Sequence, residues 1–307
     1  MTVRVGRGGH TVDMPDYDEF GMFQDNAAEA GLAWTGPPVV RRRAARIAPG
    51  RRVSALQWGE GDPELVLLHG GAQNAHTWDT VALALRRPLL AVDLPGHGHS
   101  DWWPEHDYTP ARLAEAVAAA LTELAAAAKT VVGMSLGGLT ALRLAAGNPS
   151  QVSRLMLVDV TPGAGDAPGK TAAITAFVNG PADFASFEEI LERTVAHNPG
   201  RSPSSLRRGV LHNARPRPDG RWEWRYDRLR PTAEARFDFS GLWNDLSALR
   251  MPLLLVRGSR SPVVDDADVA ELRRRQPDAQ VVTVEGAGHS VQGDRPVELA
   301  GIIDQFG

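Results

Sequence analysis

The sequence predicts an α/β fold, a mostly parallel sheet with helices on both faces, and three observations carry that reading. Short apolar runs of strand length alternate with segments of helical periodicity over most of the chain. The connections between them are short, so consecutive strands are expected to be parallel and joined by right-handed crossovers. In the middle of the alternation, residues 128–148 read as strand, tight turn and helix. Thr130-Val131-Val132 has strand character, and Gly133-Met134-Ser135-Leu136-Gly137 is the turn. Leu136, Leu139, Ala141, Leu142 and Ala145 then form an apolar helix face that ends near Gly147 and Pro149.

Taken in order, residues 1–38 are rich in Gly, Asp and Pro around a short helical piece near 25–31, and Pro37-Pro38 closes this lead-in. Residues 39–47 and 51–58 read as two strands about Pro49-Gly50, a hairpin signal. Residues 64–68 form a short apolar strand that runs into His69-Gly70-Gly71-Ala72-Gln73-Asn74, and an amphipathic helix follows over 78–85. Leu89–Val92 is the next strand, leading into Asp93-Leu94-Pro95-Gly96-His97-Gly98-His99-Ser100. Residues 110–128 are an Ala-rich helix with Pro110 in its first turn, where proline is favoured. After the central turn, strands are expected at 154–159, 253–256 and 281–284, with helices at 267–275 and 295–306.

About ninety residues between Asp159 and Leu253 break this repeat. They read as a cap, residues 161–249, inserted into a core of residues 1–160 and 250–307. Helices are expected over 172–198. Arg217-Pro218-Asp219-Gly220, followed by the alternating Arg221-Trp222-Glu223-Trp224-Arg225-Tyr226, suggests a hairpin.

At 307 residues the chain suits one large domain or a core with an insertion. The formal net charge of −4, with basic residues that are nearly all dispersed arginines, gives no electrostatic footprint for nucleic acid. The chain has no cysteine, which excludes disulfides, thiolate metal sites and a cysteine nucleophile. No apolar run reaches the roughly 18 residues of a membrane span, and residues 1–10 lack a signal-peptide core, so a cytoplasmic protein without membrane partners is expected.

A Gly-x-Ser-x-Gly turn between strand and helix is so tight that its flanking positions must lack side chains, and it leaves the serine hydroxyl exposed above the sheet. The helix that follows points its N-terminus at the same spot, which favours developing negative charge there.

Four motifs, His69-Gly70-Gly71, Asp93 to Ser100, Gly133 to Gly137 and Gly286-Ala287-Gly288-His289, follow one another in an order and spacing that resembles the α/β-hydrolase superfamily, in particular its capped, esterase-like branch. The resemblance implies an eight-stranded, mostly parallel sheet and a Ser–acid–His triad in that chain order. It makes Ser135 the nucleophile, His289 the base and the backbone N–H groups of Gly71 and Leu136 the oxyanion donors. The expected reaction is ester hydrolysis through an acyl-enzyme, with a small molecule as substrate and no metal or organic cofactor. Monomer and homodimer both stay open. Without a carboxylate at the nucleophile position, the dehalogenase and epoxide-hydrolase branches are disfavoured. C–C bond hydrolases, lactonases and pathway-specific cyclases use the same triad and remain alternatives, as does a non-catalytic binding scaffold of this fold.

The acid departs from the common pattern. Where many relatives carry Gly-x-x-Asp after the penultimate strand, this chain has Gly258-Ser259-Arg260-Ser261. Asp159, at the end of the strand after the elbow helix, is the favoured substitute. Asp265 and Asp266 are the alternatives, at a position where Asp most often caps a helix.

Gly70, Met134, Trp102 and Trp222 are expected to bind substrate. Trp103, Phe184, Phe187, Trp224 and Trp243 extend an apolar cover. Of the remaining histidines, His69, His97 and His99 are expected to structure their loops. His10, His76 and His106 are expected in surface or loop positions, and His197 and His212 in cap packing or substrate contact.

Overall fold

The structure is a computed structural model that describes residues 17–165, 169–228, 239 and 241–307. Its elements in chain order are α1 (Phe23–Glu29), β1 (Val40–Ala48), β2 (Arg51–Trp58), β3 (Leu65–Leu68), α2 (Asp79–Leu85), β4 (Leu89–Val92), α3 (Pro110–Leu124), β5 (Thr130–Met134), α4 (Leu136–Gly147) and β6 (Arg154–Val158). The insertion follows with α5 (Ala172–Val178), α6 (Phe187–His197), α7 (Pro203–Asn213), β7 (Ala214–Pro216), β8 (Trp222–Trp224) and α8 (Leu242–Ala248). The chain closes with β9 (Leu253–Gly258), α9 (Asp266–Arg275), β10 (Gln280–Val284), α10 (Val291–Asp294) and α11 (Pro296–Phe306).

Eight strands form one sheet in the order β1-β2-β4-β3-β5-β6-β9-β10. The β1–β2 and β2–β4 pairs are antiparallel, and every other pair is parallel. The central strands are buried on both faces, which is why they read as continuous apolar runs such as Leu65–Leu68 and Leu89–Val92 rather than as alternation. One apolar layer, with Leu113, Val117, Leu142 and Leu272, packs α3, α4 and α9 on one face. A second, with Phe23, Val81, Leu299 and Ile303, packs α1, α2 and α11 on the other. At the β1 edge, Arg41 and Arg43 both reach Gln57, which charges an otherwise open ladder.

The insertion carries its own apolar cluster of Phe184, Phe187, Ile190, Val210, Leu211, Trp222, Trp224 and Tyr226. Its hairpin turns where the Asp-Gly pair predicts, with Gly220 at φ 82°. Helix α7 is not anticipated by the sequence reading, although Ser202 caps it and Pro203 starts it. Helix α3 ends at Leu124 rather than near 128, because Ala125 leaves helical geometry and Ala128 folds back on it to enter β5. Trp243, expected in the cap cover, instead packs with Leu242 and Leu246 of α8 against the core layer under α4. Among the described residues, no helix is long and apolar enough to cross a membrane.

Candidate active site

Ser135 stands between β5 and α4 at φ 51° and ψ −120°, a strained backbone held because its neighbours leave no alternative. A Cβ on Gly133 would overlap the Gly137 carbonyl, and one on Gly137 would overlap the Leu68 carbonyl, so the two flanking glycines are set by close approach. The Ser135 N–H donates to the Val158 carbonyl at 3.1 Å, pinning the turn to β6.

His289 lies in the loop after β10, with Nε2 3.1 Å from Ser135 Oγ and Nδ1 2.7 Å from Asp159 Oδ2. Asp159 is fully buried where the chain leaves β6, and its φ of 52° turns the carboxylate toward the histidine loop. Two donors hold it: the Gly258 N–H reaches Oδ1 at 2.9 Å, and the Ser261 hydroxyl donates to Oδ2. Ser261 stands where the common pattern has its acid, and here it serves the carboxylate that directly follows β6 instead. The two alternative acids are engaged elsewhere. Asp265 forms a full capping box with Asp268 at the start of α9 and meets Lys170 at 2.9 Å, while exposed Asp266 pairs with Arg257 at 2.7 Å.

The loop after β3 wraps the other side of the serine. A Cβ on Gly70 would run into Met134 Sδ, so the glycine lets this loop sit against the elbow. The N–H groups of Gly71 and Leu136 donate to no backbone or side-chain group among the described residues. Two buried, neutral histidines brace the loop. His69 Nε2 accepts from the Leu94 N–H at 2.9 Å, which fixes Nδ1 as the donor to the Gly70 carbonyl at 2.7 Å. His97 Nε2 accepts from the Ala72 N–H at 3.1 Å, and burial together with nearby His69 pushes its pKa down to about 3.

Ser135, His289, Gly70, Gly71, Met134 and Leu136 all line a cavity of about 1370 Å³ that continues under the insertion past Ile174, Phe177, Val210 and Trp224. Trp102 and Trp222 do not line it. Trp102 is 38% exposed on the outer surface beneath the Arg215 guanidinium, and Trp222 is buried inside the insertion's own cluster against Phe187. Trp224, two residues along the same short strand, faces the cavity in its place.

His76, expected in a surface or loop position, lies in the turn before α2 but is buried with Asp79 and His212 in the same cavity wall. Burial opposes its charge, yet Asp79 and Glu19 outweigh that and raise its pKa to about 9. His76 and Asp79 are three residues apart, but nothing in the sequence ties that pair to His212, which lies 133 positions beyond Asp79 and meets it only in the folded chain. His10 lies outside the described residues.

Comparison with known proteins identifies the family of the chain. A family model described as the alpha/beta hydrolase family matches residues 65–302. Esterase Rv0045c of Mycobacterium tuberculosis is 47% identical over 296 residues, covering 95% of this chain and 96% of the relative. A solved structure of that esterase, from work on its inhibition by transition metals, has a TM-score of 0.83 at 48% identity and covers 94% of this chain and 98% of that one. A pimeloyl-acyl-carrier-protein methyl ester esterase of Aeromonas hydrophila is 31% identical over 269 residues, 83% of this chain and 98% of the relative.

Proposed function

The chain belongs to the alpha/beta hydrolase family and hydrolyses esters, and on that premise we propose that Ser135, His289 and Asp159 carry the reaction through an acyl-enzyme. The observation that carries this reading is the continuous hydrogen-bonded path from Asp159 through His289 to Ser135. His289 takes the proton of the Ser135 hydroxyl as Oγ adds to the ester carbonyl. The Asp159 carboxylate holds the imidazole tautomer and stabilises the cation that forms. The oxyanion rests on the Gly71 and Leu136 N–H groups, where losing one donor typically costs about 2.7–4 kcal/mol of barrier. His289 returns its proton to the leaving alcohol, then activates the water that releases the acid.

Of the expected cap 161–249, the described residues from α5 to Arg228 act as the cap, since α8 packs with the core layer. The apolar walls under it, from Ile174, Phe177, Val210 and Trp224, suit a medium-sized acyl group, and the Aeromonas hydrophila relative is named for a pimeloyl ester. A cytoplasmic location is part of the same proposal. A fluorophosphonate probe tests the assignment: it should label the protein at Ser135 and leave Ser135→Ala unlabelled. Labelling elsewhere, or none, would overturn it. A panel of p-nitrophenyl esters, lactones and C–C substrates, read as kcat/KM, should favour the esters.

A further inference from the structure

We propose that His76, Asp79 and His212 form a site for a divalent transition-metal ion of the zinc class, and that this ion clasps the cap to the loop after β3 that bears Gly71. His76 and Asp79 lie in the turn that follows this loop and at the start of α2, and His212 lies in the last turn of α7. One ligand atom from each falls within 4.8 Å of the others. Asp79 Oδ2 is 2.9 Å from His76 Nδ1 and 3.7 Å from His212 Nε2. These separations bracket the spacing of about 3.4 Å between ligands held 2.0–2.2 Å from a tetrahedral ion. The two imidazoles are stacked at 3.7 Å with planes 8° apart, so they must splay for both lone pairs to meet one ion.

Two further observations point to a ligand. His212 Nε2 and Asp79 Oδ1 have no hydrogen-bond partner, although His212 is only 5% and Asp79 only 2% exposed and both border the cavity. Buried polar atoms left without hydrogen bonds are unfavourable, and a cation coordinated by this histidine and this aspartate removes that penalty. The opposite nitrogen of each ring is already held, His76 Nε2 by Glu19 at 3.2 Å and His212 Nδ1 by Tyr17 Oη at 3.1 Å. Such outer partners orient metal-binding histidines. Arg42, 3.5 Å from His76 Nε2, is offset by Glu19 and Asp93, with which it is paired. Two imidazoles and one carboxylate, with a remaining position toward the cavity, suit zinc, cobalt, nickel or copper better than magnesium or calcium.

The site spans the joint between cap and core. Asn74 donates to the His212 carbonyl at 3.3 Å, and Asn213 Nδ2 donates to the Ala72 carbonyl at 2.7 Å, one residue from Gly71. The test is titration of chelator-treated full-length protein with Zn²⁺ by calorimetry, with Co²⁺ absorption to report coordination and thermal unfolding to report stability. One equivalent is expected to bind, raising Tm and giving the visible bands of four-coordinate cobalt. His212→Gln should lose that binding. Tyr17→Phe, which removes only the outer partner, should weaken it about 10–100-fold. Absence of a stoichiometric site in the parent protein overturns the proposal. So does binding that persists in His212→Gln and vanishes in His289→Ala, since the ion would then sit on the proposed catalytic base.

Discussion

Two histidines, each paired with an aspartate, line one cavity, and what stands on the far nitrogen of each ring separates them. His289 has Asp159 on Nδ1 and the Ser135 hydroxyl on Nε2, a group able to give up its proton. His76 has Asp79 on Nδ1 and a second carboxylate, Glu19, on Nε2. A ring between a carboxylate and a hydroxyl can move a proton from one side to the other. A ring between two carboxylates holds its proton, which is why His76 is raised to about 9. Both aspartates are buried, but Asp159 sits on a strained strand end whose direction the sheet fixes, whereas Asp79 opens a helix.

Exchanging the acids for amides should divide the two pairs most sharply. Asp159→Asn is expected to lower kcat by about 10⁴-fold with the fold intact, since the imidazole loses the partner that sets its tautomer. Retained turnover in Asp159→Asn together with its loss in Asp265→Asn would move the acid to the later loop. Asp79→Asn should instead lower stability by about 3–5 kcal/mol, because the His76 cation is left buried beside a neutral amide, while kcat on a small ester stays within about tenfold. Denaturant unfolding alongside ester kinetics reads both.

The second pair also sets a pH signature of stability. The folded-state pKa of His76, about 9, lies above its ordinary value of 6.5. Its contribution is therefore full below about pH 6.5 and is lost as pH rises through 9. Tm should fall across that window in chelator-treated, metal-free protein, and His76→Gln should flatten this part of the profile. An unchanged profile in the variant would remove His76 as the source.

Ser261→Ala tests the first pair more gently. It removes one donor to the Asp159 carboxylate, a bond to a charged group worth about 1.5–3 kcal/mol. A fall in kcat of about tenfold with KM unchanged is expected. The smallest effect belongs to the tryptophans: Trp224→Ala should change preference among acyl chain lengths, and Trp102→Ala, on the outer surface, should leave that preference as it is.

Much of the fold was legible in the residues themselves, and the proposed triad in the family resemblance that they carry. Strand positions followed from apolar runs, and the elbow from glycines whose absence of side chain is forced within a few residues. Ser261 cannot replace the acid, because a hydroxyl cannot stabilise an imidazolium, and this leaves Asp159 as the favoured carboxylate. These are short-range properties, set by sterics and periodicity that a neighbouring segment can only reinforce. Tertiary structure alone decided the rest. Tyr17 and His212 meet across 195 positions, Ser261 finds Asp159 across 102, and Trp102 and Trp222 turn away from a cavity that Trp224 enters. Hydrophobicity gives a tryptophan reason to be buried but does not choose which wall it joins. A histidine's charge and role depend on carboxylates whose positions are fixed only when separate elements pack together.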